Sequence, residues 1–123
     1  MTTRLKIAFA AALLAAPILA GSGPALAHHG WSGQDNSKVT TLEGKIQSLS
    51  YRNPHAEIDL AQNGQVWHVT LAPIERLQSR GVTPAVLKVG DTVRISGNRN
   101  LDQSKMEVKA FEITTAGKTT GLR

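Results

Sequence analysis

The stretch HAEIDLAQNGQVWHVTL, residues 55–71, holds the clearest structural signal in the chain. Two alternating segments, His55 to Gln62 and Gln65 to Leu71, flank Asn63-Gly64, the favoured pair for a two-residue type I′ turn. Such a turn fixes the register, so residues whose numbers sum to 127 lie opposite each other. Ile58 then faces Val69 and Leu60 faces Trp67. Ala56, Ile58, Leu60, Trp67, Val69 and Leu71 share one apolar face. His55, Glu57, Asp59, His68 and Thr70 share the other with Val66.

Upstream, Val39 to Tyr51 alternates well enough for a long strand, with Val39, Leu42, Ile46 and Leu49 as its apolar members. Gly44 interrupts it and marks a bulge or a bend. Arg52-Asn53-Pro54 is a corner, because a residue before proline is pushed to extended geometry. Downstream, Pro73 to Arg80 reads as a short helix, with Pro73 at the first helical position and Gly81 as the stop. Thr83-Pro84 opens a further helical turn. A strand from Thr92 to Gly97 carries Val93 and Ile95 inward, and Asn98 to Lys105 is a polar loop. In the last strand, Met106 to Thr115, Met106, Val108 and Ala110 are expected on one face, with Glu112 as a candidate fourth member, and Phe111 and Ile113 on the other. Five strands with a helix between the third and fourth predict an all-β fold, a small OB-like, partly open barrel; the runner-up is a β-sandwich.

The organisation around this barrel follows from composition. Residues 1–27 read as a secretory signal: Arg4 and Lys6 precede the apolar run Ile7 to Ala20, and Ala25-Leu26-Ala27 is an A-x-A cleavage site. The run is shorter than the roughly 20 residues that span a bilayer, which disfavours the rival, an uncleaved anchor. Cleavage would leave an arm over 28–37, the barrel over 38–115 and a polar, frayed tail over 116–123, in a periplasmic protein with no membrane span. The whole chain has 14 Lys+Arg against 9 Asp+Glu and no cysteine. Loss of Arg4 and Lys6 takes the balance from +5 to +3. That charge is too weak and dispersed for nucleic acid, which also needs a basic groove with stacking aromatics. The absence of Cys removes disulfides and thiolate sites.

Catalytic patterns are sparse. There is no G-x-S-x-G elbow and no glycine-rich phosphate loop. Glu57 and Asp59, about 7 Å apart on one strand face, have a glycosidase-like spacing but read better as a solvated sheet face. The histidines are more informative. Cleavage after Ala27 makes His28 the first residue, so its α-amine and imidazole join the imidazole of His29. An amine with a pKa near 7.7–8.0 is easily deprotonated for a metal. A nitrogen-rich set of this kind favours Cu(II). His55 and His68 lie about 13 Å apart along the hairpin at about 3.3 Å per residue, so one site cannot use both. His55, at the loop-rich end, is the expected third ligand; His68, opposite Asp59, is expected to be a hydrogen-bonded surface histidine. The metal set is therefore His28, His29 and His55, with copper as the cofactor and a role in sequestration or delivery. The alternative is a metal-free envelope module binding a ligand or an unknown periplasmic partner. An oxidative copper enzyme is disfavoured, since so small a barrel leaves little room for a substrate cleft.

The segments HHGWSGQD (28–35), YRNPHAEIDL (51–60), VWHVTLAP (66–73), RLQSRGV (76–82) and LKVGDTVRISG (87–97) resemble the DUF6152 proteins, small exported bacterial domains of uncharacterised function. His28, His29, Trp31, Asn53, Pro54, His55 and Trp67 match that pattern, whereas His68 stands outside it. Gln34 occupies the position where the family has Tyr, so a site using that Tyr would be altered here. The resemblance implies export but no activity.

Overall fold

The computed structural model describes residues 31–123. The expected leader, together with His28 and His29, lies outside them. Six strands and one helix follow in the order β1 (Thr40–Ser50), β2 (Glu57–Gln62), β3 (Gln65–Thr70), α1 (Ile74–Ser79), β4 (Thr92–Arg99), β5 (Glu107–Thr115) and β6 (Lys118–Gly121).

The hairpin has the register that its turn dictates. Ile58 pairs with Val69, Asp59 with His68 and Leu60 with Trp67. Asn63 and Gly64 both take positive φ, as a type I′ turn requires. All six residues of the apolar face are buried, from Ala56 to Leu71, while Val66 is exposed. The Asn53–Pro54 bond at the corner is cis.

The sheet order β3-β2-β1-β4-β5 is closed by parallel pairing of β3 with β5, His68 opposite Glu107 and Val69 opposite Val108. The barrel is therefore closed rather than partly open, and a two-sheet sandwich is excluded. Closure needs strands that curl, and two glycines permit it. A Cβ at Gly44 would strike the carbonyl group of Ala61, and one at Gly97 would meet the β5 backbone. Gly44 is thus a point of close strand approach, and the bulge in β1 falls three residues later, where the register slips between Ile46 and Ser48. Val39 lies outside β1 and is exposed, in contrast to its expected role as an apolar strand member.

A second register slip, between Ser96 and Gly97, corrects the reading of β5. Ser96 pairs with Glu112 and Gly97 with Ala110, which leaves Phe111 as the extra residue. The bulge breaks the alternation, so Val108, Ala110 and Ile113 are all buried while Phe111 is displaced outward and half-buried. The apolar residues on both sides of this strand are the trace of that bulge.

The tail is also ordered, contrary to the expectation of a frayed end. Ala116 and Gly117 take positive φ and fold β6 back on β5, with Thr114 opposite Thr119. Leu122 is 2% exposed in the core. The Arg76 and Arg80 side chains of α1 and its C-cap donate to the carbonyl oxygens of Leu122 and Gly121. Thr83 to Leu87 forms a single turn, its Thr83 carbonyl accepting from Val86 and Leu87. Among the described residues no helix is long and apolar enough to cross a membrane.

Candidate functional site

The arm entering the barrel is fixed by residues that the sequence suggested were loop. Asn98, only 3% exposed, sits within β4 and donates through its side-chain amide to the carbonyls of Asp35 and Lys38. The Asp35 amide donates to Arg99, and Gln34 bridges to Asn100. The Trp31 carbonyl accepts from the Gln34 amide and the Asn36 side chain, closing a turn. This lays the Trp31 ring against the outer side of the barrel, beside β5 and the tail.

Three cationic contacts hold that aromatic cluster. The Arg123 guanidinium lies 4.4 Å from the Trp31 ring centre and 4.8 Å from that of Phe111. The Lys109 ammonium lies 4.8 Å from the Trp31 ring. Such contacts contribute about 0.5–1 kcal/mol each at exposed positions. The β5 bulge is what turns Phe111 toward Arg123, and its carbonyl accepts from the Leu122 amide, so one irregularity places both the ring and the tail.

Two adjoining cavities open here. The larger, about 540 Å³, is lined by Trp31, Asn36, Arg76 and Arg123. The smaller, about 190 Å³, shares Trp31 and Arg76 and adds His55, Pro73, Lys109 and Leu122 among its walls. Among the described residues neither wall carries an Asp or Glu side chain. Burial pushes the Lys109 ammonium below its ordinary pKa, because the charged form loses solvation.

Of the expected metal residues, His55 alone falls among the described residues. His28 and His29 are outside the described residues. His55 is half-buried in the wall of the smaller cavity, in company with Trp31. His68 is on the outer sheet face, its Nδ1 2.9 Å from an Asp59 carboxylate oxygen and its Nε2 3.6 Å from Glu57. Hydrogen bonds from His68 and then Ser48 hold the Asp59 carboxyl below the usual carboxylate range. Among the described residues no three His, Asp or Glu side chains are grouped closely enough to hold a metal ion. The sequence reading singled out Trp31 and His55 but missed Arg76, Lys109, Phe111 and Arg123. They come from three separate places in the chain, α1, β5 and the tail, and share no motif; only the unusual pattern of β5 hinted at Phe111.

No curated protein matches the chain. Among solved structures it is similar to a chain in the crystal structure of the S. pombe Stn1-ten1 complex, at 17% identity and a TM-score of 0.52. The match covers 65% of this chain and 59% of that one, and at this identity it shows the fold alone. A family model described as "Family of unknown function (DUF6152)" matches residues 15–112. The chain belongs to the DUF6152 family.

Proposed function

We propose that this chain is a small OB-like binding module that takes its ligand in the Trp31 cleft without a resident metal. The observation that carries the reading is the cleft itself: an open depression of about 540 Å³ set between the arm, α1 and the tail. Its walls combine an aromatic surface with fixed polar donors, and hydrogen bonds to β4 and to the α1 arginine hold the arm and tail that frame it. A panel of neutral, cationic and anionic small molecules, screened by saturation-transfer NMR on chelator-treated protein, tests this. Binders that disappear in Trp31→Ala support the reading. A panel that binds equally well to the Trp31→Ala protein, or only after Cu(II) is added, refutes it.

His55 supports a second reading, the copper site. It lines the cavity that Trp31 also lines, and Trp31 stands three residues after His28 in the chain, a reach of about 10 Å at most. On this reading export to the periplasm and cleavage after Ala27 create the His28 amine, and His28, His29 and His55 bind one Cu(II). Intact mass of periplasmic material tests the cleavage. Calorimetry with EPR tests the ligand set: one additional residue before His28, or His55→Ala, weakens Cu(II) binding, and His68→Ala does not. Unchanged affinity with the amine blocked excludes it.

A further inference from the structure

We propose that the Trp31 cleft binds a small oxyanion, a carboxylate- or phosphate-bearing molecule gripped by Arg76 and Arg123. The inference rests on the reading of the cleft as the ligand site and adds the chemistry of what enters it.

Both guanidiniums line the larger cavity. Among the described residues the side-chain partners of each are uncharged. Arg76 donates from one Nη to the Leu122 carbonyl at 3.0 Å. Arg123 lies against Trp31 and Phe111, with a long 3.4 Å contact from Nη2 to the Asn98 side-chain oxygen. Among the described residues the acid–base contacts within ion-pair distance all involve His68, on another face of the barrel. Among the described residues no Asp or Glu side chain is paired with either arginine or lines the cleft. A guanidinium carries five N–H donors in a planar fork that matches the two oxygens of a carboxylate or phosphate. Here two forks are pre-positioned by a carbonyl and by aromatic rings, so less side-chain freedom is lost when a ligand arrives. A cleft whose described walls carry two guanidiniums and no acidic side chain focuses positive potential and attracts an anion.

The geometry favours a small ligand over a polyanion. The cations surround one concavity, whereas a nucleic-acid strand needs charges along a groove with successive stacking rings. The Trp31 ring is covered by Arg123 and Lys109, so it serves as a platform for cations.

Calorimetric titration of chelator-treated full-length protein with citrate, inorganic phosphate and a twelve-nucleotide single strand, at low and at physiological salt, is the test. Saturable binding of citrate or phosphate is expected, and whichever binds more tightly identifies the source of the oxyanion. Arg123→Ala and Arg76→Gln should each lower affinity tenfold or more. Arg123→Lys, which keeps the charge and loses the fork, should recover part of the loss. Circular dichroism on each variant separates loss of binding from loss of fold, and a variant that fails it is replaced by Arg123→Lys as the deciding protein. Weak, unsaturable heats that do not differ between wild type and Arg123→Lys overturn the proposal. So does oligonucleotide binding tighter than either small anion. If neutral molecules bind the cleft in the NMR panel while both anions fail, the oxyanion is wrong and the binding module stands.

Discussion

Replacing Gly97 by alanine should cost this small barrel a large part of its stability. Gly97 is buried in β4 opposite Ala110. A Cβ there would lie 2.7 Å from the Val108 Cγ1, 2.8 Å from the Ala110 Cα and closer still to the Lys109 carbonyl oxygen. Two of these three atoms are β5 backbone and cannot rotate away. Overpacking in a core typically costs about 1–3 kcal/mol, and a rigid backbone obstacle places this substitution near the top, about 3 kcal/mol. Total stabilities are about 5–15 kcal/mol, and in a domain of this size each kcal/mol moves Tm by about 4–8 °C. The expected fall in Tm is therefore about 12–24 °C. Thermal unfolding followed by circular dichroism measures that fall and urea unfolding the free-energy loss, with Gly33→Ala as the reference, because a Cβ at Gly33 meets nothing within 4 Å. The reference should stay within about 0.5 kcal/mol of wild type. Because Lys109 and Ala110 also line the smaller cavity, Gly97→Ala should weaken ligand binding as well. A Gly97→Ala protein as stable as the Gly33→Ala reference would refute the close approach of β4 to β5, and with it the bulge that places Phe111.

Trp67 is 7% exposed in the core, and its indole N–H has no hydrogen-bond partner among the described residues, so Trp67→Ala should cost the roughly 3–5 kcal/mol of a large aromatic without an added hydrogen-bond penalty; a loss under 1 kcal/mol in urea unfolding contradicts that burial. Leu122→Ala should cost about 2–5 kcal/mol by the same assay, and no change would mean that the tail does not pack. The Asp59 pKa is lowered by its bonds to His68 and Ser48, so the stability it contributes is present above its unfolded value near 3.8 and is lost as pH falls through the lower folded value. Asp59→Asn should therefore lose less stability than wild type on acidification from pH 5 to pH 2, and parallel Tm–pH curves for the two proteins would exclude that linkage.

What the sequence disclosed about this molecule depended on how local the cause was. The β2–β3 register is set by two adjacent residues, Asn63 and Gly64, and by alternation over a few neighbours, so it could be read directly. The pairing of β3 with β5 joins segments almost forty residues apart in sequence, and nothing in either segment names the other; hence a closed barrel looked partly open. The β6 hairpin turns on Ala116-Gly117, with alanine at a positive φ that it seldom adopts, and its strands are threonine-rich, so the tail looked merely polar. Asn98 looked like loop because its polarity serves the arm, 60 and 63 residues upstream. The same holds for the cleft. Trp31 and His55 were conspicuous as residue types, but Arg76, Lys109 and Arg123 acquire meaning only when the helix, the bulged strand and the tail bring them to one place.

The proposed oxyanion ligand enters the Trp31 cleft rather than a metal centre. The two tryptophans report on it separately, since Trp31 borders the cleft and Trp67 is buried in the barrel. In proton–nitrogen spectra of chelator-treated protein titrated with citrate and with phosphate, the Trp31 indole N–H resonance should shift saturably with one of them while the Trp67 resonance stays in place. A Trp31 resonance that ignores both anions and moves only on addition of a closed-shell metal ion would contradict the claim.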